Sequence, residues 1–312
     1  MIDRKVSKVF RGIAILMVVA SHYAAWLFGE PAMPELKAFV MTFGVYGVDI
    51  FLLLSGYGMA RSAGKTGITG TFILKRFLNT ALPYYVIVGF FAIMDRTWTG
   101  IADLGRFLIG YEYWFMCVIF ALYIMFFICF KIGWHKEILL TICVTAFSIA
   151  LWKGGANDFW YLSNMAFPIG VLASALEDKY GNKAETWIKK VNLIACGLVF
   201  TFIFSYIFNQ DVYRHWPEVL RSISFTLAVL GLCVETYGGG VILAAIGRYS
   251  LYIYLIHVRM FSVVLDMDVT FGNDMRLTVF SMLITVVVGI ALGYAFENTI
   301  QFFQRKLKHS DD

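Results

Sequence analysis

Charge is what this chain has least of. Of its 312 residues only 15% are Asp, Glu, Lys or Arg, against 60% hydrophobic and 17% aromatic. A water-soluble domain carries about a quarter of its residues as charges. A soluble globular fold is therefore excluded, and the mean hydropathy of +0.72 describes a chain solvated by lipid. Long polar stretches are missing too, so residues 1–312 read as a single integral membrane domain with no soluble appendage. The five cysteines (Cys117, Cys129, Cys143, Cys196, Cys233) lie in or beside apolar runs without paired spacing. That excludes a disulfide framework and a cysteine metal site and leaves them as small packing residues. HExxH, G-x-S-x-G, a Walker loop and a dinucleotide fingerprint are all absent, so no metal is expected and the common zinc-, serine- and nucleotide-based chemistries have no signature here. The basic start lacks a small-residue cleavage site, and the first apolar run is expected to be retained.

What is present is a series of apolar segments of near-membrane length. Ten are expected to span: roughly 12–28 (ending at Phe28), 39–59, 77–94, 113–130, 138–151, 161–176, 191–208, 219–234, 241–265 and 277–296. Most reach the roughly 17–25 residues that a tilted helix needs, and the fifth and sixth are short. The fold class is thus an all-α polytopic membrane protein. With the first residue inside, seventeen of the 26 Lys and Arg side chains fall on the inner side and eight on the outer, with Arg248 unassigned. That bias sets both termini in the cytoplasm. It also accounts for the net charge of +5 without nucleic acid. Tryptophans, Trp26 and Trp216 among them, gather near the proposed boundaries as an interfacial aromatic belt.

Polar groups inside such segments are costly and mark sites. Arg11 opens the first span and His22 follows eleven positions later. On a helix that is about 16 Å, and eleven steps of 100° bring both side chains to nearly one face. An imidazole at that depth is a candidate general base, while Arg11 alone would pass for an ordinary inner-surface anchor. In GVYGVDIFLLLSGYGMARS (residues 44–62) Asp49 is a charge within an apolar span. Ser55 lies about 240° from it around the helix, on a different face, and Gly56 suits close approach of another backbone. Tyr57 follows. Lys75 and Arg76 open the third span, with Pro83 set to kink it, and cations at one mouth suit a phosphate-rich ligand. Glu112, in EYWF, reads as an interfacial charge. In GRYSLYIYLIHVRM (residues 247–260) Tyr254 and His257 share a helix face, and His257 reaches a depth comparable with His22.

These stretches together resemble the membrane-bound acyltransferase 3 family. The matching pieces are Arg-x10-His from Arg11 to His22, GVDIFLLLSGY in the second span, KRF with Pro83 in the third, Trp114-Phe115 in the fourth and SLYIYLIH in the ninth. They occur in the family's order over most of the chain. One departure is clear: the family usually carries a second arginine soon after the first in the third span, and here Asn79 and Thr80 stand there. The hydrolase-like domain that some members append is also not found. The resemblance implies transfer of an acyl group, commonly acetyl from acetyl-CoA, to a hydroxyl of a surface polysaccharide or polyprenyl-linked glycan, in a bacterial inner or plasma membrane. His22 would be the base, with Ser55, Tyr57 or Tyr254 as oxyanion donors, His257 orienting His22 or shuttling the proton, Asp49 fixing the imidazole or pairing with a buried arginine, and Arg11, Lys75, Arg76 and Tyr57 on the donor side. A transporter or flippase of a lipid-linked sugar, and a sensing protein with a dead site, remain open from the residues alone.

Overall fold

A computed structural model describes residues 1–27, 34–98, 100–209, 215–236, 239–266 and 275–310. Its regular structure is helical, and no strand occurs among the described residues. The helices run α1 (Arg4–Leu27), α2 (Pro34–Thr66), α3 (Gly70–Met94), α4 (Ile101–Leu108), α5 (Trp114–Ile132), α6 (Lys136–Lys153), a 3-10 turn (Asp158–Trp160), α7 (Ala166–Tyr180), α8 (Asn182–Lys190), α9 (Leu193–Asn209), α10 (His215–Glu235), α11 (Val241–Arg248), α12 (Ser250–Asp266) and α13 (Met275–Ser310). Helices therefore occupy all ten expected stretches. In lipid, backbone groups have no water to bond, and helices satisfy them internally.

Among the described residues six helices (α1, α2, α3, α5, α10 and α13) are long and apolar enough to cross a bilayer, and counting each of two bent pairs as one span gives eight. Those pairs are α8 with α9, bent by 49°, and α11 with α12, bent by 72°. Where the fifth and sixth spans were expected, α6 begins and ends in charged residues and α7 has only 15 residues. Phe28 lies outside the described residues, as do the side chains of Trp26 and Trp216.

Glycines let helix backbones touch, most closely at two crossings among the described residues. A Cβ on Gly56 would lie 2.0 Å from the Phe167 carbonyl oxygen, and one on Gly170 would lie 2.1 Å from that of Leu53. So α2 and α7 cross with their main chains in contact, the close approach expected of Gly56. A Cβ on Gly12 would meet the Leu243 oxygen at 2.1 Å, and one on Gly247 the Lys8 oxygen at 1.8 Å. That pins α1 against α11. The bend that follows α11 redirects α12, and Arg248 at the bend is held by Glu297 of α13 at 2.6 Å.

Overpacking a dry helix contact costs roughly 1–3 kcal/mol or more. We expect Gly56→Ala to lower the folded yield and the apparent Tm in detergent, whereas Gly58→Ala, whose added Cβ has nothing within 4 Å, leaves both near wild type.

Candidate functional site

α1 runs unbroken from Arg4 to Leu27, so Arg11 and His22 keep the helical spacing read from the sequence. His22 is half-buried, and its Nδ1 lies 2.8 Å from the Val18 carbonyl oxygen one turn earlier. A carbonyl only accepts, so Nδ1 carries the proton and donates it there. The neutral ring then presents its lone pair at Nε2. His257 on α12 is 1% exposed and repeats the arrangement, its Nδ1–H donating to the Tyr254 carbonyl. Its Nε2 is buried and has no hydrogen-bond partner among the described residues. The two rings meet edge to face, with centroids 4.8 Å apart and planes at 71°.

Tyr254 stands beside them, its ring 5.3 Å from that of His257. Phe115 and Tyr113 of the fourth span's entrance close over it, at 5.5 Å and 5.8 Å. The Phe115 backbone N–H faces the Tyr254 oxygen, which leaves the phenolic O–H free to donate elsewhere. Tyr113 ties this wall to α12, donating to the Leu255 carbonyl at 2.9 Å. Phe51 of α2 touches Phe115 at 6.1 Å. Ser55, one turn on from Phe51, lies on that same face of α2. It is half-buried and its hydroxyl makes no hydrogen bond among the described residues.

Toward the other end of α1, Arg11 lies within electrostatic reach of Arg76 on α3 and Tyr123 on α5. Among the described residues neither arginine has a carboxylate partner. Arg76 also sits 6.0 Å from the Phe72 ring. Lys75, next in sequence, is exposed, on the side of α3 that carries the exposed Leu74, Leu78 and Leu82. One of the two adjacent cations thus faces Arg11 and the other faces out, as their 100° separation requires.

Two residues of the span-two motif are engaged elsewhere. Asp49 is fully buried, and its carboxylate accepts from Ser222 on α10 at 2.6 Å. Each histidine instead uses a backbone carbonyl. The Tyr57 hydroxyl accepts from the Ile2 amide at 3.1 Å and donates to Glu177 of α7. Glu177 is also bonded by the amino terminus at 2.6 Å and approached by Arg61 at 3.5 Å. The sequence reading missed Tyr113, Tyr123, Glu177 and Ser222. Tyr113 adjoins the Trp114-Phe115 pair and was within reach; the other three carry no local pattern. Glu112 is exposed, as an interfacial charge would be.

A family model described as an acyltransferase domain matches residues 7–296. The chain belongs to the acyltransferase 3 family. No curated protein and no solved structure matches it. The matched span covers nearly the whole helical body of this membrane acyltransferase, including both histidines and both facing arginines.

Around Glu177 burial pushes the carboxyl up, but the bonds from the amino terminus and Tyr57 outweigh it and hold the group below the usual carboxylate range. The stabilisation from such a depressed group is present above the unfolded carboxylate's pKa and is lost as pH falls through the folded value. We expect Tyr57→Phe to cost about 1–3 kcal/mol at pH 7 and to shrink the loss of Tm between pH 7 and pH 4, measured by thermal unfolding in detergent.

Proposed function

We propose that this acyltransferase moves an acetyl group from acetyl-CoA to a hydroxyl of a cell-surface or lipid-linked carbohydrate. It would do so in a bacterial cell membrane, crossing ten times with both termini in the cytoplasm. The observation that carries the reading is the line along α1: Arg11 near one end, joined there by Arg76 of α3 and with no carboxylate partner for either among the described residues, and, about 16 Å away, an imidazole whose tautomer leaves Nε2 ready to accept a proton.

Arg11 and Arg76 bind the anionic phosphates of the donor, with a fork geometry that suits phosphate oxygens. The extended pantetheine arm is on the order of the distance from that pair to His22. At the far end His22 Nε2 removes the proton from the acceptor hydroxyl as the oxygen attacks the thioester carbonyl carbon. The carbonyl π electrons move to oxygen, where the Tyr254 O–H and the Ser55 hydroxyl are available as donors in a site screened from water. Collapse of the intermediate breaks the C–S bond. The departing thiolate takes the proton from the His22 imidazolium, so the cycle releases acetyl ester and CoA thiol with no net proton. His257, packed against His22, fixes the orientation of its ring. Asp49 acts from a distance, holding α2 against α10.

Two outcomes test this. His22→Ala is expected to lower acetyl transfer by about 10² to 10⁴ with the fold intact, read as free-thiol release from acetyl-CoA by purified protein and as acetyl esters on surface glycans by mass spectrometry. Wild-type product from that variant rejects the base. Arg11→Ala and Arg76→Ala each remove a charge-assisted contact of about 1.5–3 kcal/mol. Each should raise the acetyl-CoA KM by about tenfold or more while leaving kcat within a few-fold, and Lys75→Ala provides the exposed control.

A further inference from the structure

At the Trp114 end of α5 four aromatic rings gather from two separate segments. Tyr111 comes from the turn between α4 and α5 and Trp114 from the first residue of α5, and Phe159 and Trp160 from the 3-10 turn before α7. Their centroids lie 5.3 Å apart for Tyr111 and Trp160, 5.2 Å for Trp114 and Phe159, and 6.5 Å for Trp114 and Trp160. Trp114 and Trp160 are half-buried, while Tyr111 and Phe159 are 44% and 42% exposed. Trp and Tyr side chains are enriched at membrane interfaces, with their rings at headgroup level. These rings pack on one another.

They also continue inward. Ring contacts pass from Trp114 to Phe115 at 6.1 Å, to Tyr254 at 5.5 Å, to His257 at 5.3 Å and to His22 at 4.8 Å. The cluster is therefore the outward end of an aromatic wall whose inner end is the histidine pair. Its border is polar. The Arg106 guanidinium lies 4.8 Å from the Tyr111 ring, the Asp158 carboxylate accepts from Tyr161 at 2.5 Å, and Asn157 is exposed beside it. Flat apolar faces edged by a carboxylate, an amide and a guanidinium match a pyranose, which has one C–H face and a rim of hydroxyls. Polarised C–H groups are drawn to the negative face of an aromatic ring.

We propose that this ring cluster is the docking platform for the acceptor glycan, with one sugar ring on Trp114 and Trp160 and the reacting unit reaching along Phe115 and Tyr254 to His22. The inference rests on the acetyl-transfer reading and adds where the acceptor is held.

The test uses the full-length protein in nanodiscs with Trp160→Leu, Trp160→Tyr and Trp114→Leu, and with cellotetraose, maltotetraose and chitotetraose as probes. Binding without donor is read by tryptophan fluorescence, and turnover by sugar-stimulated thiol release from acetyl-CoA. At least one sugar should perturb wild-type fluorescence. Trp160→Leu and Trp114→Leu should raise that sugar's KM by about tenfold, with Trp160→Tyr close to wild type. The KM for acetyl-CoA and the slow release of thiol to water should not change. An unaltered sugar KM in both leucine variants overturns the platform. So does equal loss of acetyl-CoA turnover and folded yield in those variants, and so does a fluorescence signal that no probe moves. Should wild type bind sugar through Trp160 yet release no thiol, the platform stands and the acetyl-transfer reading falls.

Discussion

In a lipid interior a neutral imidazole offers a defined lone pair only if its other nitrogen is already engaged. The Val18 carbonyl engages Nδ1 of His22 at 2.8 Å. That bond comes from the same helix, one turn back, so it needs no partner from elsewhere in the fold and persists as neighbouring helices shift. It replaces the carboxylate that often orients a catalytic histidine. A carboxylate at this depth would be a buried charge, costly unless paired, whereas a carbonyl is a neutral acceptor already present on every turn. His257 uses the same device with Tyr254, so each ring is oriented by a neutral acceptor of its own helix.

Everything around the pair depends on α1 and α12 staying in register. α1 is anchored where Gly12 and Gly247 let its main chain meet that of α11, and the 72° bend between α11 and α12 carries His257 back against His22. Without strong hydrophobic drive between helices in lipid, such backbone contacts are a principal source of cohesion. The Gly56–Gly170 crossing does the same for α2 and α7.

Buried charges are kept away from the reacting groups. Asp49 is bonded to Ser222, and Glu218 and Arg221 pair on the same helix at 2.8 Å. The first contact joins α2 to α10, and the second lies within α10. Arg11 and Arg76, which have no carboxylate partner among the described residues, are at the opposite end of the α1 line from His22. The two imidazoles thus lie at one end of the α1 line and the two arginines at the other.

The Arg11–His22 alignment, the Gly56 contact and the helical nature of each apolar run were legible in the sequence, because each rests on the local period of a helix. The fifth and sixth segments were legible as helices but not as certain crossings, since their charged ends and short lengths leave the outcome to neighbours. Which face of a uniformly apolar helix turns inward is not a local property. The chain alone therefore could not tell that Arg76 rather than Lys75 joins Arg11, or that Tyr57 turns to Glu177, 120 residues away. Nor could it tell that the two histidines touch. Sequence determined what each helix is and which residues share its stripes. Only tertiary packing decided which stripes face each other, because that choice is made by complementary shapes on segments far apart in the chain.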